Sequence, residues 1–138
     1  FSCSSSSSLG DGWSCEKIYD DEPSSWQDNG LECADATLEF TFSKDIYFQF
    51  LTYENIEDSK SFKRNFKPRD ILITSEEEGF SIEYELENQN TSSQWIDLNT
   101  SSSVITIQIL SAYPGEEVNG AEAFPECAIQ EITFYGRS

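Results

Sequence analysis

Apolar and polar residues alternate in short runs along most of this chain. Leu38, Phe40 and Phe42 are interleaved with Glu39 and Thr41, and Phe80, Ile82, Tyr84 and Leu86 with Ser81, Glu83 and Glu85. Successive side chains of a strand point to opposite faces, so a period of two buries one set and leaves the other in water. Ile46, Phe48 and Phe50 repeat the pattern after Ser43-Lys44-Asp45, which reads as a turn. Further strands are predicted over residues 70–74, 95–98, 104–110 and 127–136, rich in the β-branched and aromatic residues that suit a half-buried pleated surface. Between them, Glu76-Glu77-Glu78-Gly79, residues 88–94 and residues 99–103 carry the Gly, Asn, Ser and Thr of turns and hairpin-like loops. Seven or eight short strands and no helix of ordinary length predict an all-β protein, an antiparallel jelly-roll β-sandwich. Residues 1–12, with the serine run 4–8, show no periodicity and read as a Ser-rich N-terminal tether or tail, leaving a single domain over 13–138.

Charge and composition then narrow the function. With 26 acidic residues against 8 basic ones the net charge is −18, which works against phosphate backbones and anionic membranes, so no nucleic-acid partner is expected. The chain has no His, which removes imidazole acid/base chemistry, Ser-His-Asp and Cys-His nucleophiles and imidazole metal sites. Carboxylate-pair glycoside hydrolysis is the one catalytic class left open, and nothing marks two of the acids as such a pair. No run approaches the ~20 apolar residues of a transmembrane segment.

Four cysteines, Cys3, Cys15, Cys33 and Cys127, without His or a Cys-x-x-Cys motif, read as disulfides of an exported domain rather than a zinc site, and three pairings are open. Cys3 has a second reading. A small residue before a Cys and a Ser-rich spacer after it suit a lipid-anchored leader, which would place the chain on a cell surface.

Sugar binding on a β-sandwich needs an aromatic face for the pyranose and polar groups for its hydroxyls. Trp26, in the polar stretch Ser24-Ser25-Trp26-Gln27-Asp28-Asn29-Gly30, and Tyr53, beside Glu54 and Asn55, are the candidate rings. Trp13 and Trp95 are expected in the core. Lys60, Lys63, Arg64, Lys67 and Arg69 concentrate the positive charge within ten positions. They read either as a patch for a sulfated or sialylated glycan, with Arg64 offering its planar fork, or as a solvated loop paired with nearby acids. Asn90-Thr91-Ser92 and Asn99-Thr100-Ser101 match glycosylation acceptors.

Several of these pieces fall in a recognisable order. Tyr53-Glu54-Asn55, then residues 61–71 (SFKRNFKPRDI), Tyr113-Pro114-Gly115 and the ending Glu131-Ile132-x-Phe134-x-Gly136 resemble the discoidin-like (coagulation factor type C-like) galactose-binding β-sandwich. The resemblance covers residues 26–136 and is greatest to the bacterial glycan-binding version found beside NAD-glycohydrolase toxins. The chain departs from that pattern where it has Tyr-Glu-Asn for the usual Asn-Gly-Tyr, and in carrying Cys33 at its first core strand.

The resemblance implies a non-catalytic glycan-binding module of an exported or surface protein, with Trp26, Tyr53, Glu54, Asn55 and Arg64 at the sugar. An adhesin holding a host surface protein on the same scaffold is the alternative. It also implies that Cys33 pairs with Cys127, whose strands are neighbours in that fold, leaving Cys3 to Cys15. No cofactor is required by it; a structural Ca²⁺ is implied in many relatives, and Asp28 and Glu131 would be its side-chain ligands.

Overall fold

The structure is a computed structural model that describes residues 1–22, 24–55, 63–77, 79–88 and 92–137. Lys60, Phe62 and the Asn90 acceptor lie outside the described residues. In chain order the strands are β1 (Ser2–Ser5), β2 (Trp26–Gln27), β3 (Thr37–Glu54), β4 (Lys67–Pro68), β5 (Asp70–Ser75), β6 (Ser81–Glu85), β7 (Gln94–Ile109), β8 (Ala112–Tyr113), β9 (Ala128–Ile129) and β10 (Glu131–Arg137). Short 3₁₀ turns at Asp11–Trp13 and Cys15–Ile18 are followed by β2.

Two long strands organise everything else. β3 and β7 pair antiparallel along almost their whole length, from Thr37 opposite Gln108 to Tyr53 opposite Gln94. The first half of β3 is flanked by β1 and the second half by β10, while the second half of β7 carries β5 and then β6. One antiparallel sheet therefore supplies both layers, folded at the middle of its two longest strands. The fold line is where Ser43-Lys44-Asp45 lies. Thr41 pairs with Val104 and Ile46 with Ser102, so the residues 42–45 oppose Ser103 alone, and the expected turn is a wide bulge inside β3.

Residues 99–103 are likewise strand, not the expected loop. Polar composition misled there because β7 keeps its alternation through them: Ile96, Leu98, Thr100 and Ser102 all face inward. The two hydroxyls are satisfied on the buried side. Thr100 donates to the Glu77 carboxylate and meets Ser75, and Ser102 accepts the N–H groups of Glu76 and Val104.

Leu38, Phe40, Phe48, Leu51, Ile71, Ile73, Ile96, Leu98, Ile105, Ile107, Ile109 and Ile132 form one buried cluster between the layers. Each large aliphatic side chain so buried is worth ~1.5–3 kcal/mol. The Ser-rich N-terminal segment also belongs to the domain, against the expectation of a tether from residue 1 to 12. Ser2 to Ser5 pair with Thr41 to Leu38, Ser6 Oγ accepts the Thr37 N–H, and Leu9 N–H reaches the Gln27 carbonyl. An edge strand needs only backbone groups to dock, so the absence of apolar periodicity was no bar.

Cys33 is bridged to Cys127, and Cys3 to Cys15, with Cα separations of 4.8 and 5.7 Å. A bridged Cys3 has no free thiol for the lipid that its surroundings suggested.

Candidate functional site

Three neighbouring strand segments expose one continuous face. In the outer layer Glu131 of β10 lies opposite Glu54 of β3, Thr133 opposite Thr52, and Tyr135 opposite Phe50. On the other flank of β3, Thr52 faces Trp95 of β7 and Phe50 faces Asp97. Since Tyr53 and Ile96 point into the core, the period of two turns Thr52, Glu54 and Trp95 away from it. A cavity of about 570 Å³ opens over this face. Phe42, Thr52, Glu54, Trp95, Glu131, Thr133 and Tyr135 line it from β3, β7 and β10, with Ser93 just before β7; Phe1, Tyr19 and Asp21 border it from the N-terminal segment.

The rings on this face are ordered by stacking. Phe50 is held between Trp95 and Tyr135, with centroids 4.5 and 4.6 Å away and interplanar angles of 10° and 15°. Trp95 nevertheless remains 62% exposed. It is a large flat ring braced from one side by a neighbour.

The polar end of the cavity is crowded with negative charge. Glu54 and Glu131 face each other across adjacent strands, an arrangement that is ordinarily destabilising. Glu131 is only 9% exposed; its Oε1 accepts the Asp21 N–H at 3.1 Å. Burial, reinforced by the charges of Asp20, Asp21 and Glu54, pushes its carboxyl up to about 7 against the favourable backbone hydrogen bond. Glu54 Oε1 accepts the Ser93 hydroxyl at 2.8 Å. Among the described residues no Lys or Arg lines the cavity.

Of the residues expected at the sugar, all of them described, only Glu54 lines this face. Trp26 is completely buried, its indole N–H donated to the Ser7 carbonyl and its strand paired with Ile129, so it is a core residue and not a sugar platform. Its polar neighbours disguise this, because they bond to one another and to backbone: Ser24 Oγ to Asp20, Gln27 to Ser25. Tyr53 is also buried in the core, and Asn55 is buried with its amide directed to the Glu87 carbonyl, so neither offers a surface to a ligand. The expectations for Trp95 and Trp13 reverse in the same way, since Trp13 is 42% exposed.

Arg64 lies in the loop before β4, where the basic stretch is knitted to residues 111–127. Its Nε donates to the Glu122 carbonyl at 2.9 Å, its guanidinium sits 3.7 Å above the Phe124 ring, and its own carbonyl accepts the Phe124 N–H. A Cβ on Gly115 would collide with that carbonyl, so only glycine permits the close approach. Lys67 is buried, its Nζ donated to the Asn65 carbonyl, and desolvation lowers its pKa although Glu116 opposes the shift. Arg69 pairs with Asp70 at 3.9 Å, and Lys63 is exposed. Arg64, Lys67 and Arg69 meet partners within the protein rather than converging on one anion site.

Asp28 and Glu131 do not form a shared calcium site. Both oxygens of the buried Asp28 carboxylate are taken by backbone donors: Oδ1 by Leu31 and Cys127 N–H, Oδ2 by Cys33 N–H at 2.9 Å. The carboxylate clamps the two half-cystines of the long bridge, and a cation would have to displace those amides. Among the described residues no three acidic or cysteine side chains converge as a metal centre requires.

The sequence matches no model of a known protein family. No curated protein matches it either. Solved structures do match the fold. The family 32 carbohydrate-binding module of NanJ from Clostridium perfringens, solved with galactose, superposes with a TM-score of 0.72 at 14% identity, over 96% of this chain and 91% of that one. A module called CBM32-3, from a family 31 glycoside hydrolase of the same bacterium, gives 0.72 at 16% identity over 98% and 91%. An F5/8 type C domain from Bacteroides fragilis gives 0.64 at 13% identity over 99% and 91%. The chain has the discoidin-like, galactose-binding β-sandwich fold, as the resemblance in the sequence implied.

Proposed function

We propose that this chain is a non-catalytic glycan-binding module and that the sugar lies in the cavity beside Trp95. The observation that carries the reading is the pairing of an exposed, braced indole with hydroxyl and carboxylate groups around one 570 Å³ cavity. A pyranose offers an apolar face for such a ring and hydroxyls for Glu54, Thr52 and Thr133. Structural neighbours solved with galactose and with GalNAc support the same class of ligand. Two disulfides suit an oxidising compartment, which favours an exported or surface protein. Among the described residues no helix is long and apolar enough to cross a membrane.

Titration calorimetry with galactose and N-acetylgalactosamine tests this directly. Trp95→Ala should weaken whichever sugar binds by at least roughly tenfold while leaving the melting temperature nearly unchanged, the behaviour of an exposed aromatic anchor. Undiminished affinity in Trp95→Ala would move the site elsewhere.

A further inference from the structure

The carboxylates at the polar end of the cavity remain unexplained by a neutral sugar. Thr52, Thr133, Ser93 and a single carboxylate would serve the hydroxyls of a neutral sugar; a second carboxylate placed opposite the first on a neighbouring strand adds repulsion. Glu131 is more than nine-tenths buried, and its Oε1 is held by the Asp21 N–H. No hydrogen bond from the described residues reaches its Oε2, and the side chain lines the cavity. Asp20 and Asp21 add negative charge from the loop packed against it, Glu54 adds it from β3, and among the described residues no Lys or Arg lines the cavity.

From this geometry we infer that the cavity selects glycans bearing a protonated primary amine, an amino sugar whose nitrogen is not acetylated, with the ammonium set between Glu54 and Glu131 while the ring stacks on Trp95. Such a group supplies three donors and one positive charge to two facing carboxyl groups. Uronic, sialic and sulfated sugars are disfavoured by the same field. The inference rests on the glycan reading above and narrows it to one class of ligand.

The test compares the methyl glycosides of galactosamine, N-acetylgalactosamine and galactose by calorimetry at about pH 7, where an amine of ordinary basicity is largely protonated. A chelator in the buffer keeps divalent cations off the carboxylates. Galactosamine should bind at least roughly tenfold tighter than its acetylated partner, and the advantage should shrink as salt screens the charges. Glu54→Gln with Glu131→Gln should abolish the preference for galactosamine over its acetylated partner. Glu54→Gln alone, at a partly exposed position, should halve the preference or more if the double variant fails to fold. Equal or tighter binding of the acetylated sugar, or a preference that survives in the variants, overturns the amine assignment and leaves the glycan reading standing. Failure of all three sugars to bind a folded protein overturns both.

Discussion

The loop around Arg64 and the sheet face around Trp95 differ in what they leave open. Five basic residues let the loop read either as a binding patch or as a solvated loop paired with nearby acids, whereas Trp95, opening an apolar run, looked like core. In the structure Arg64, Lys67 and the Asn65 amide N–H are spent inside the protein, on Glu122, Phe124, Asn65 and Glu126, although the buried Asn65 Oδ1 meets no partner among the described residues. The sheet face keeps its ring open and its carboxylates facing one another. What separates them is satisfaction, not composition. A polar group already matched by its own fold contributes little to a ligand, and one left unmatched beside an open ring has something to offer.

The largest test of that contrast is the bridge that ties the loop side together. Breaking Cys33–Cys127 by Cys33→Ala with Cys127→Ala should cost ~4–5 kcal/mol in the chain-entropy description, since 94 residues separate the two, and chemical denaturation of the variant measures it. Next come the two tryptophans whose roles reverse. Trp26→Ala should lose ~3–5 kcal/mol of stability through lost burial and a residual cavity, while the exposed Trp95→Ala stays within ~0.5 kcal/mol of the parent in the same denaturation experiment. Were Trp95→Ala to unfold the protein, the face would be structural and the comparison would collapse.

Arg64→Ala is expected to cost less, ~0.5–1 kcal/mol from the lost ring contact, and to leave sugar affinity unaltered. A large loss of affinity would return the binding role to the loop.

The smallest effect lies in the pH profile. Because the folded protein raises Glu131 from 4.5 to about 7, it holds a proton that the unfolded chain releases. Between those two values the folded state binds more protons, so this group's contribution to stability falls as pH rises through the window. Melting temperatures in chelator from about pH 5 to about pH 7.5 should therefore decline more steeply for the parent than for Glu131→Gln. Parallel profiles would show that Glu131 is not strained by its neighbours.

The fold was legible because alternation of side chains is its direct cause, and both disulfides followed from the family likeness. The length of β3 and β7 was not legible. Ser43-Lys44-Asp45 and residues 99–103 carry turn-forming residues, and only long-range pairing tells a bulge from a reversal. For the site, Glu54 lies on the exposed face, whereas Trp26, Tyr53 and Asn55 are buried, local polarity having been taken for exposure. A signal for Trp95 was present all the same. With Ile96 and Leu98 inward, a strict period of two already turns Trp95 and Asp97 to the solvent.

The way both ends of the chain dock on β3 has a mechanical consequence. Ser2 lies opposite Thr41 and Arg137 opposite Tyr47, near the fold line, so β1 and β10 leave β3 from neighbouring points and run apart from there. Tension applied at the two ends would open each edge strand like a zipper, rung by rung, instead of shearing a whole ladder at once. At the leading end that unzipping stops almost immediately, because Cys3 is bridged to Cys15. At the trailing end it can run from Tyr47 toward Glu54, lifting away Tyr135, Thr133 and finally Glu131. Force on the two ends would thus dismantle the exposed face beside Trp95 while the bulk of the sheet stayed intact.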